Sequence, residues 1–407
     1  MISNNQTITA RQDVLVLSYW NLNAPSFGGA RRIQALLDLL GPRTTLCQPS
    51  PRHPYLDSWT FQPDLGRRKA GINWGMFNFL VPWTAMRLRR LLSRQRPALI
   101  VATSIWTYLP LRHVRNLPPV VLDAHDVIAN AIEERFGNSH PFTRLVRFWE
   151  RQVVRRVDHV FACSELDRQQ FIAQYGIPAD RVSTVPNGVD MDVWQSAVPA
   201  GGGADNGIDP KHEAALGDAT VLFFMGKLDY QPNREALQFF AERLMPELAR
   251  GGNPRFRLLI CGGPAPAVTP HPDMIFAGKV PDVVPYVRRA DICLAPIFTG
   301  SGTRLKILEY MAAGKPVIST PKGAEGIEGV SGDNMVRAEA DGFAGAIHAL
   351  AADPGAASRM GAAGCRLVAA RYDWRMIQTG WGNVFSRLGV VQDEPAHQAM
   401  VSSSTCS

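Results

Sequence analysis

Along the chain, short apolar runs rich in Val, Ile and Leu alternate with longer segments whose apolar residues recur at helical spacing, the pattern of a parallel α/β sheet. The first run covers residues 13–18 and leads into a helical segment at 29–40. Further runs at 98–102, 120–123, 159–163 and 182–185, with helices at 142–157 and 165–175, complete an α/β domain before Pro186. A second series begins at 220–225 and continues through 256–261, 274–276, 292–295 and 317–319. Between the two series, 196–218 is rich in Gly, Ala, Pro and Asp without a hydrophobic period and reads as linker or surface loop. Near the end, helical spacing over 372–388 places Trp374, Ile377, Trp381, Val384 and Phe385 on one broad face, and the polar residues beyond are expected not to pack.

Two successive sheets agree with the length, since 407 residues exceed what one hydrophobic core normally holds. Ligands of such sheets collect outside the carboxyl ends of the strands, so both domains are expected to face one cleft. With 46% hydrophobic and 19% charged residues, the chain has the composition of a globular enzyme and not of a disordered segment. The net charge of +7 favours anionic partners without choosing among nucleotides, lipid headgroups and nucleic acid. Cys47, Cys163, Cys261, Cys293, Cys365 and Cys406 show no paired spacing, which predicts reduced thiols in a cytoplasm. Neither a signal peptide, nor a membrane span, nor a metal-ligand cluster is expected.

Chemistry concentrates between Pro296 and Ile318, where an apolar strand runs into a turn containing Gly300, Ser301, Gly302 and Thr303, then a helix, a Gly314 cap and another strand. Glycines allow close approach of a ligand to the backbone, and the first turn of a helix offers free N–H groups and a positive dipole end to phosphate. Arg304 and Lys306 add full charges there, and Glu309 lies about a turn further along, where a carboxylate can accept from two adjacent ribose hydroxyls. A diphosphate leaving group gains negative charge as its bond breaks, so fixed donors at this turn favour the transition state and no metal is required. The competing reading is a capped surface helix with ordinary charges.

This segment resembles the donor-site signature of the group 1 glycosyl transferases, the retaining glycosyltransferase family 4 with the GT-B fold. The resemblance extends in order and spacing over Phe27-Gly28-Gly29, Ala124-His125-Asp126, Cys163-Ser164-Glu165, Pro186-Asn187-Gly188-Val189-Asp190 and Phe224-Met225-Gly226-Lys227-Leu228. It implies two Rossmann-like domains facing an interdomain cleft: residues 1–190 for the acceptor, 191–371 for the nucleotide sugar, 372–390 as a helix crossing back to the first domain, and 391–407 as a tail. Carried over by position, it implies that Gly28 and Gly29 form a loop facing the donor phosphate and that His125 lies beside the transferred sugar. It further implies that Gly226 and Lys227 contact the diphosphate, that Gly302, Thr303, Arg304, Leu305 and Lys306 form the phosphate-facing turn, and that Glu309 binds the ribose. His125, Lys227, Arg304 and Lys306 are the expected catalytic groups. Taken singly, Lys227 also fits a solvated lysine, His125 a satisfied structural histidine, and Gly28-Gly29 an ordinary tight turn.

The sequence departs from the family pattern twice. Ser301 stands at the first end of the paired-glutamate motif, leaving Glu309 alone, and Asp229-Tyr230-Gln231-Pro232-Asn233 follows Lys227 where many members carry a lysine. Arg304 and Lys306 are expected to take over that lysine's charge. The resemblance implies sugar transfer with retention from a UDP- or GDP-linked donor, a substrate and not a cofactor, to a lipid-linked or oligosaccharide acceptor in bacterial surface polysaccharide synthesis. A nucleotide-sugar 2-epimerase and a non-catalytic nucleotide-sugar-binding regulator are the alternatives. Residues 66–96 interleave Arg67, Arg68, Lys69, Arg87, Arg89, Arg90, Arg94 and Arg96 with Trp74, Phe77, Phe79 and Trp83. This pattern suits an anionic membrane surface at the inner face of the membrane, or equally a helix that buries its aromatics and solvates its arginines. No nucleic-acid module is recognisable, so no nucleic-acid partner is expected.

Overall fold

The computed structural model describes residues 13–19, 22, 28–48, 82–196, 207–251, 255–263, 268–300 and 303–390. They divide into two compact units: one comprises the described residues up to Asn187 together with those from Arg375 onward, and the other runs from Gly188 to Trp374.

The first unit is built on β1 (Val14–Leu17), β2 (Thr44–Cys47), β3 (Leu99–Ala102), β4 (Val120–Asp123), β5 (His159–Ala162) and β6 (Val182–Thr184). These six form one sheet in the order β2-β1-β3-β4-β5-β6, parallel throughout. Apart from β2 and β6, every strand is buried along its whole length, because helices cover both faces and each side chain meets one or the other. The order reverses between β1 and β3, the switch point at which doubly wound sheets bind ligands. The helix Trp374–Arg387 lies in this unit from Arg375 onward. Its Gln378 amide donates to Ala35 O at 3.3 Å, and Phe385 meets Phe161 edge to face with ring centroids 5.8 Å apart.

The second unit carries β7 (Thr220–Met225), β8 (Phe256–Cys261), β9 (Met274–Gly278), β10 (Ile292–Ala295), β11 (Val317–Ser319) and β12 (Val336–Arg337). Its order is β12-β11-β10-β7-β8-β9, again parallel. Alternation along β7 separates two cores: Val221, Phe223 and Met225 face one cluster, Leu222 and Phe224 the other. Here the switch point lies between β7 and β10, which pair at Ile292 with Leu222 and Cys293 with Phe223.

The segment expected to be linker differs in part. Residues 210–216 form a helix, Pro210–Leu216, because Asp209 caps it by accepting from the Lys211 N–H at 3.0 Å and Pro210 supplies a preset first turn. Five of the cysteines, Cys47, Cys163, Cys261, Cys293 and Cys365, are buried free thiols, and Cys406 lies outside the described residues. No described helix is long and apolar enough to cross a membrane.

Candidate functional site

The β7–β10 switch point gathers most of the residues singled out in the sequence. β7 ends at Met225 and the chain turns through Gly226 and Lys227, while β10 ends at Ala295 and leads through Thr299, Gly300 and Thr303 into the helix Leu305–Ala312. That helix is fixed from below: the Tyr310 hydroxyl accepts from the Met225 N–H at 2.9 Å, and its ring meets Phe223 edge to face. The last amide of β7 thus sets the height of the helix beside the strand end.

Backbone approaches here leave no room for side chains. A Cβ on Gly262 would sit 1.8 Å from Gly226 O, and one on Gly226 would fall 2.7 Å from Asn233 Nδ2 and 3.2 Å from Lys306 Nζ. Gly226 and Lys306 are therefore neighbours in space. Lys306 donates from Nζ to Asn233 Oδ1 at 2.7 Å and stands 4.0 Å from the Phe224 ring centroid. The residue is part-buried, with its ammonium held against the Asn233 amide and the Phe224 ring. Desolvation pushes it down to about 7, the Arg304 charge acts in the same direction, and Glu309 opposes them.

Arg304 precedes the helix and donates from Nη2 to Gly300 O at 2.6 Å, bracing the turn across its open side. The N-cap residue Arg304 makes no side-chain cap, and no acidic residue lies in the first turn of the helix, whose N-terminal end favours anions. Thr303 Oγ1 is buried without a hydrogen-bond partner among the described residues. Glu309 is buried on the same helix. Lys227 is more exposed and has Asp229 Oδ1 at 3.7 Å. Ser301 and Gly302 lie outside the described residues.

Asn233 is a member of this cluster that the sequence reading did not assign. It is buried at the start of the helix Gln231–Phe239, and its Nδ2 donates to Lys227 O at 2.8 Å while its Oδ1 receives Lys306. An asparagine following a proline carries no signal by itself; only the distant Lys306 makes it meaningful.

The remaining predicted residues belong to the first unit. Gly28 and Gly29 open the helix Gly28–Leu40 that follows β1, and His125 stands just past the end of β4. Burial drives the His125 imidazole down to about 4, with Arg32 helping and Asp123 opposing, so the ring is neutral at neutral pH. Its Nε2 is buried without a hydrogen-bond partner among the described residues. Beneath it, Arg32 forms a fully buried bidentate pair with Asp123, Nη2 to Oδ1 at 2.6 Å and Nε to Oδ2 at 2.9 Å. Arg32 Nη1 also donates to Val185 O and Pro186 O, and Trp381 Nε1 donates to Asp123 Oδ1 at 3.3 Å. One guanidinium thus links the helix that begins with Gly28 to the strand end that carries His125. A second buried carboxylate, Glu150, accepts from the Ile128 and Ala129 N–H groups and from the Tyr175 hydroxyl, and caps the helix that follows His125. Sequence reasoning assigned neither Arg32 nor Glu150, since no local pattern separates a buried charge from a solvated one.

Of the basic segment, only helix Pro82–Gln95 and Arg96 are described; Arg89, Arg90, Arg94 and Arg96 are exposed, whereas Arg67, Arg68, Lys69, Trp74, Phe77 and Phe79 lie outside the described residues. No group of His, Cys, Asp and Glu among the described residues has the arrangement of a metal site.

Two doubly wound parallel units, each with a switch point lined by glycine and polar groups, define the GT-B class of α/β proteins. Residues 30–193 match the family model described as Glycosyltransferase Family 4 and residues 219–353 the one described as Glycosyl transferases group 1, and the chain belongs to this family. A D-inositol 3-phosphate glycosyltransferase from Rhodococcus jostii is 25% identical over 58% of this chain and 54% of its own length. The chain therefore spans about half the length of that relative. Among solved structures, the sucrose-phosphate synthase of Thermosynechococcus elongatus superposes with a TM-score of 0.68 at 16% identity, covering 93% of this chain and 99% of that one. Anabaena HepE in complex with UDP-glucose gives 0.65 at 14% identity, covering 92% and 100%.

Proposed function

We propose that this chain is a metal-independent glycosyltransferase that moves a sugar, with retention of configuration, from a uridine diphosphate sugar to an acceptor hydroxyl. The observation that carries the reading is the helix N-terminus at the β7–β10 switch point, which its N-cap residue Arg304 leaves without a side-chain cap, flanked by Arg304, Lys306 and the tight Gly226 turn. Such a site supplies free N–H groups, a positive dipole end and two cations to the pyrophosphate of the donor. Uridine is preferred because HepE, of the same fold, holds UDP-glucose. In this reading Glu309 accepts from the ribose hydroxyls, and the Thr303 hydroxyl and Lys227 complete the phosphate contacts.

As the glycosidic bond lengthens, charge accumulates on the departing diphosphate, where Arg304, Lys306 and the helix amides stabilise it more than in the ground state. The acceptor hydroxyl attacks the face from which the diphosphate leaves, and a departing phosphate oxygen takes its proton. His125, neutral at working pH, serves as a hydrogen-bond partner to the transferred sugar and not as a charge. The first unit holds the acceptor, with Gly28 and Gly29 as a side-chain-free wall. A lipid-linked or oligosaccharide acceptor in bacterial surface polysaccharide synthesis is supported by the exposed Arg89, Arg90 and Arg94 of helix Pro82–Gln95, which would suit an anionic inner membrane surface.

A donor screen by thermal shift tests the reading. A ligand that binds only the folded state raises the melting temperature by mass action, and at a concentration of 100 Kd the gain is about 2.7 kcal/mol. Uridine diphosphosugars should raise it and guanosine or adenosine ones should raise it less; no shift with any diphosphosugar at millimolar concentration would refute the proposal.

A further inference from the structure

Lys306 raises a question that charge alone does not answer. An ammonium drawn partly out of water is costly unless it is paired, yet Lys306 forms no ion pair with a carboxylate of any described residue. Its neighbours are the amide oxygen of Asn233 at 2.7 Å and the face of Phe224. An ammonium carries three donors, and only one is used by a described acceptor.

We infer that Asn233 is a positioning residue of the phosphate site, holding the Lys306 ammonium beside Gly226 as a cation reserved for an anionic ligand. The inference rests on the proposed donor site and deepens it. The position demands a side chain that accepts from an ammonium and donates to a backbone carbonyl at once, because Nδ2 gives its proton to Lys227 O at 2.8 Å. Asparagine does both. Aspartate would turn an acceptor toward Lys227 O and neutralise Lys306, and leucine would leave the ammonium and the carbonyl without this partner. The amide also ties two chain segments far apart in sequence, the turn after β7 and the helix after β10, so the cation and the glycine turn keep one relative placement. The basicity of Lys306 is lowered, first by desolvation and then by the Arg304 charge, with Glu309 opposing them only in part. The charges that act on it are Arg304 and Glu309 on its own helix segment; on the elements packed there, Lys227 pairs with Asp229 on the turn after β7, and Glu235 on the helix of Asn233 receives the Thr299 hydroxyl at 2.6 Å.

The test is a double-mutant cycle on the full chain, read by calorimetric titration with inorganic pyrophosphate and, separately, with uridine diphosphate. Asn233→Asp should weaken pyrophosphate binding about tenfold or more in the wild-type background and less than about threefold in the Lys306→Met background, since Asn233 acts through Lys306. Equal factors in the two backgrounds, or no loss in either, would overturn the inference, as would a wild-type protein that does not bind pyrophosphate. Lys306→Gln, which keeps an N–H toward Asn233 without the charge, supplies an arm independent of changes at Asn233. It should match the loss seen in Asn233→Asp, and unchanged affinity would count against the proposal. If pyrophosphate binds as described while uridine diphosphate binds no tighter, the anion site stands and the nucleotide reading of the protein falls.

Discussion

At the scale of single residues, the groups that matter are those whose polarity is out of balance with their surroundings. Arg304 braces Gly300 O and adds charge at the start of the helix Leu305–Ala312, so under the proposed donor-site role Arg304→Ala should remove a transition-state contact and loosen the turn. Losing one such fixed donor typically costs about 10²–10³ in kcat, and sugar-transfer assays on the purified variant should show a fall of that order, with a fully active variant refuting the role. Histidines give a second expectation. His125 and His159 are both driven down to about 4, first by desolvation, so between that value and their ordinary one the unfolded chain binds more protons than the folded one. Stability is then complete above about pH 6.5 and is lost as pH falls toward 4, by about 2–3 kcal/mol per histidine. Glu150 works in the opposite sense: burial lifts it to about 7, so its contribution weakens as pH rises from the ordinary carboxyl range through neutrality. Melting curves across pH 4–8 should show the His159→Gln acid limb flattened relative to wild type; an unchanged limb would remove His159 from the account.

At the scale of elements, what was legible follows from burial. Strands covered on both faces, such as β3, β4 and β10, read as continuous apolar runs and appear where the pattern placed them. β2 and β12 were not anticipated, and both are sheet edges: the half-buried Thr44 and Thr45 in one and the exposed Arg337 in the other carry no apolar run. The helix at 210–216 was hidden for a different reason, since its stability comes from the Asp209 cap and Pro210 and not from a long hydrophobic period. Site residues followed the same division. Gly226, Arg304, Lys306 and Glu309 sit in strand–turn–helix segments recognisable in one stretch of chain, whereas Asn233 and Arg32 take their meaning from partners 73 and 91 residues away. Gly262 is a further case, ordinary in sequence but pressed against the Gly226 carbonyl. Its replacement by alanine puts a methyl carbon 1.8 Å from that oxygen, so the turn after β7 must move. Gly262→Ala should therefore weaken uridine diphosphate binding by about tenfold or more while costing about 1–3 kcal/mol in stability, as overpacking does; titration and denaturant unfolding would check both. Retained affinity would show that the turn tolerates displacement.

For the molecule as a whole, chain order and spatial order part company: the first unit is closed only when residues beyond Arg375 return to it. Trp381 from that returning helix donates to Asp123, and Asp123 is the carboxylate that Arg32 grips, so residues from three distant parts of the sequence meet in one buried polar cluster. A buried pair of this kind contributes little net stability against an apolar core, but removing one partner strands the other. Arg32→Met would leave Asp123 buried with the indole N–H and without its cation, and should cost about 3–5 kcal/mol. The hydrogen bonds and ring contact of Arg32 with described residues all lie within the first unit. Distant sites without shared partners usually couple by less than about 0.5 kcal/mol, so if donor binding belongs to the second unit, uridine diphosphate affinity should stay within about twofold while the melting temperature falls and sugar transfer is lost. That combination, intact donor binding with failed transfer, is what a division of labour between the units requires. If Arg32→Met instead abolished nucleotide binding at temperatures where the chain remains folded, donor recognition could not be assigned to the second unit alone.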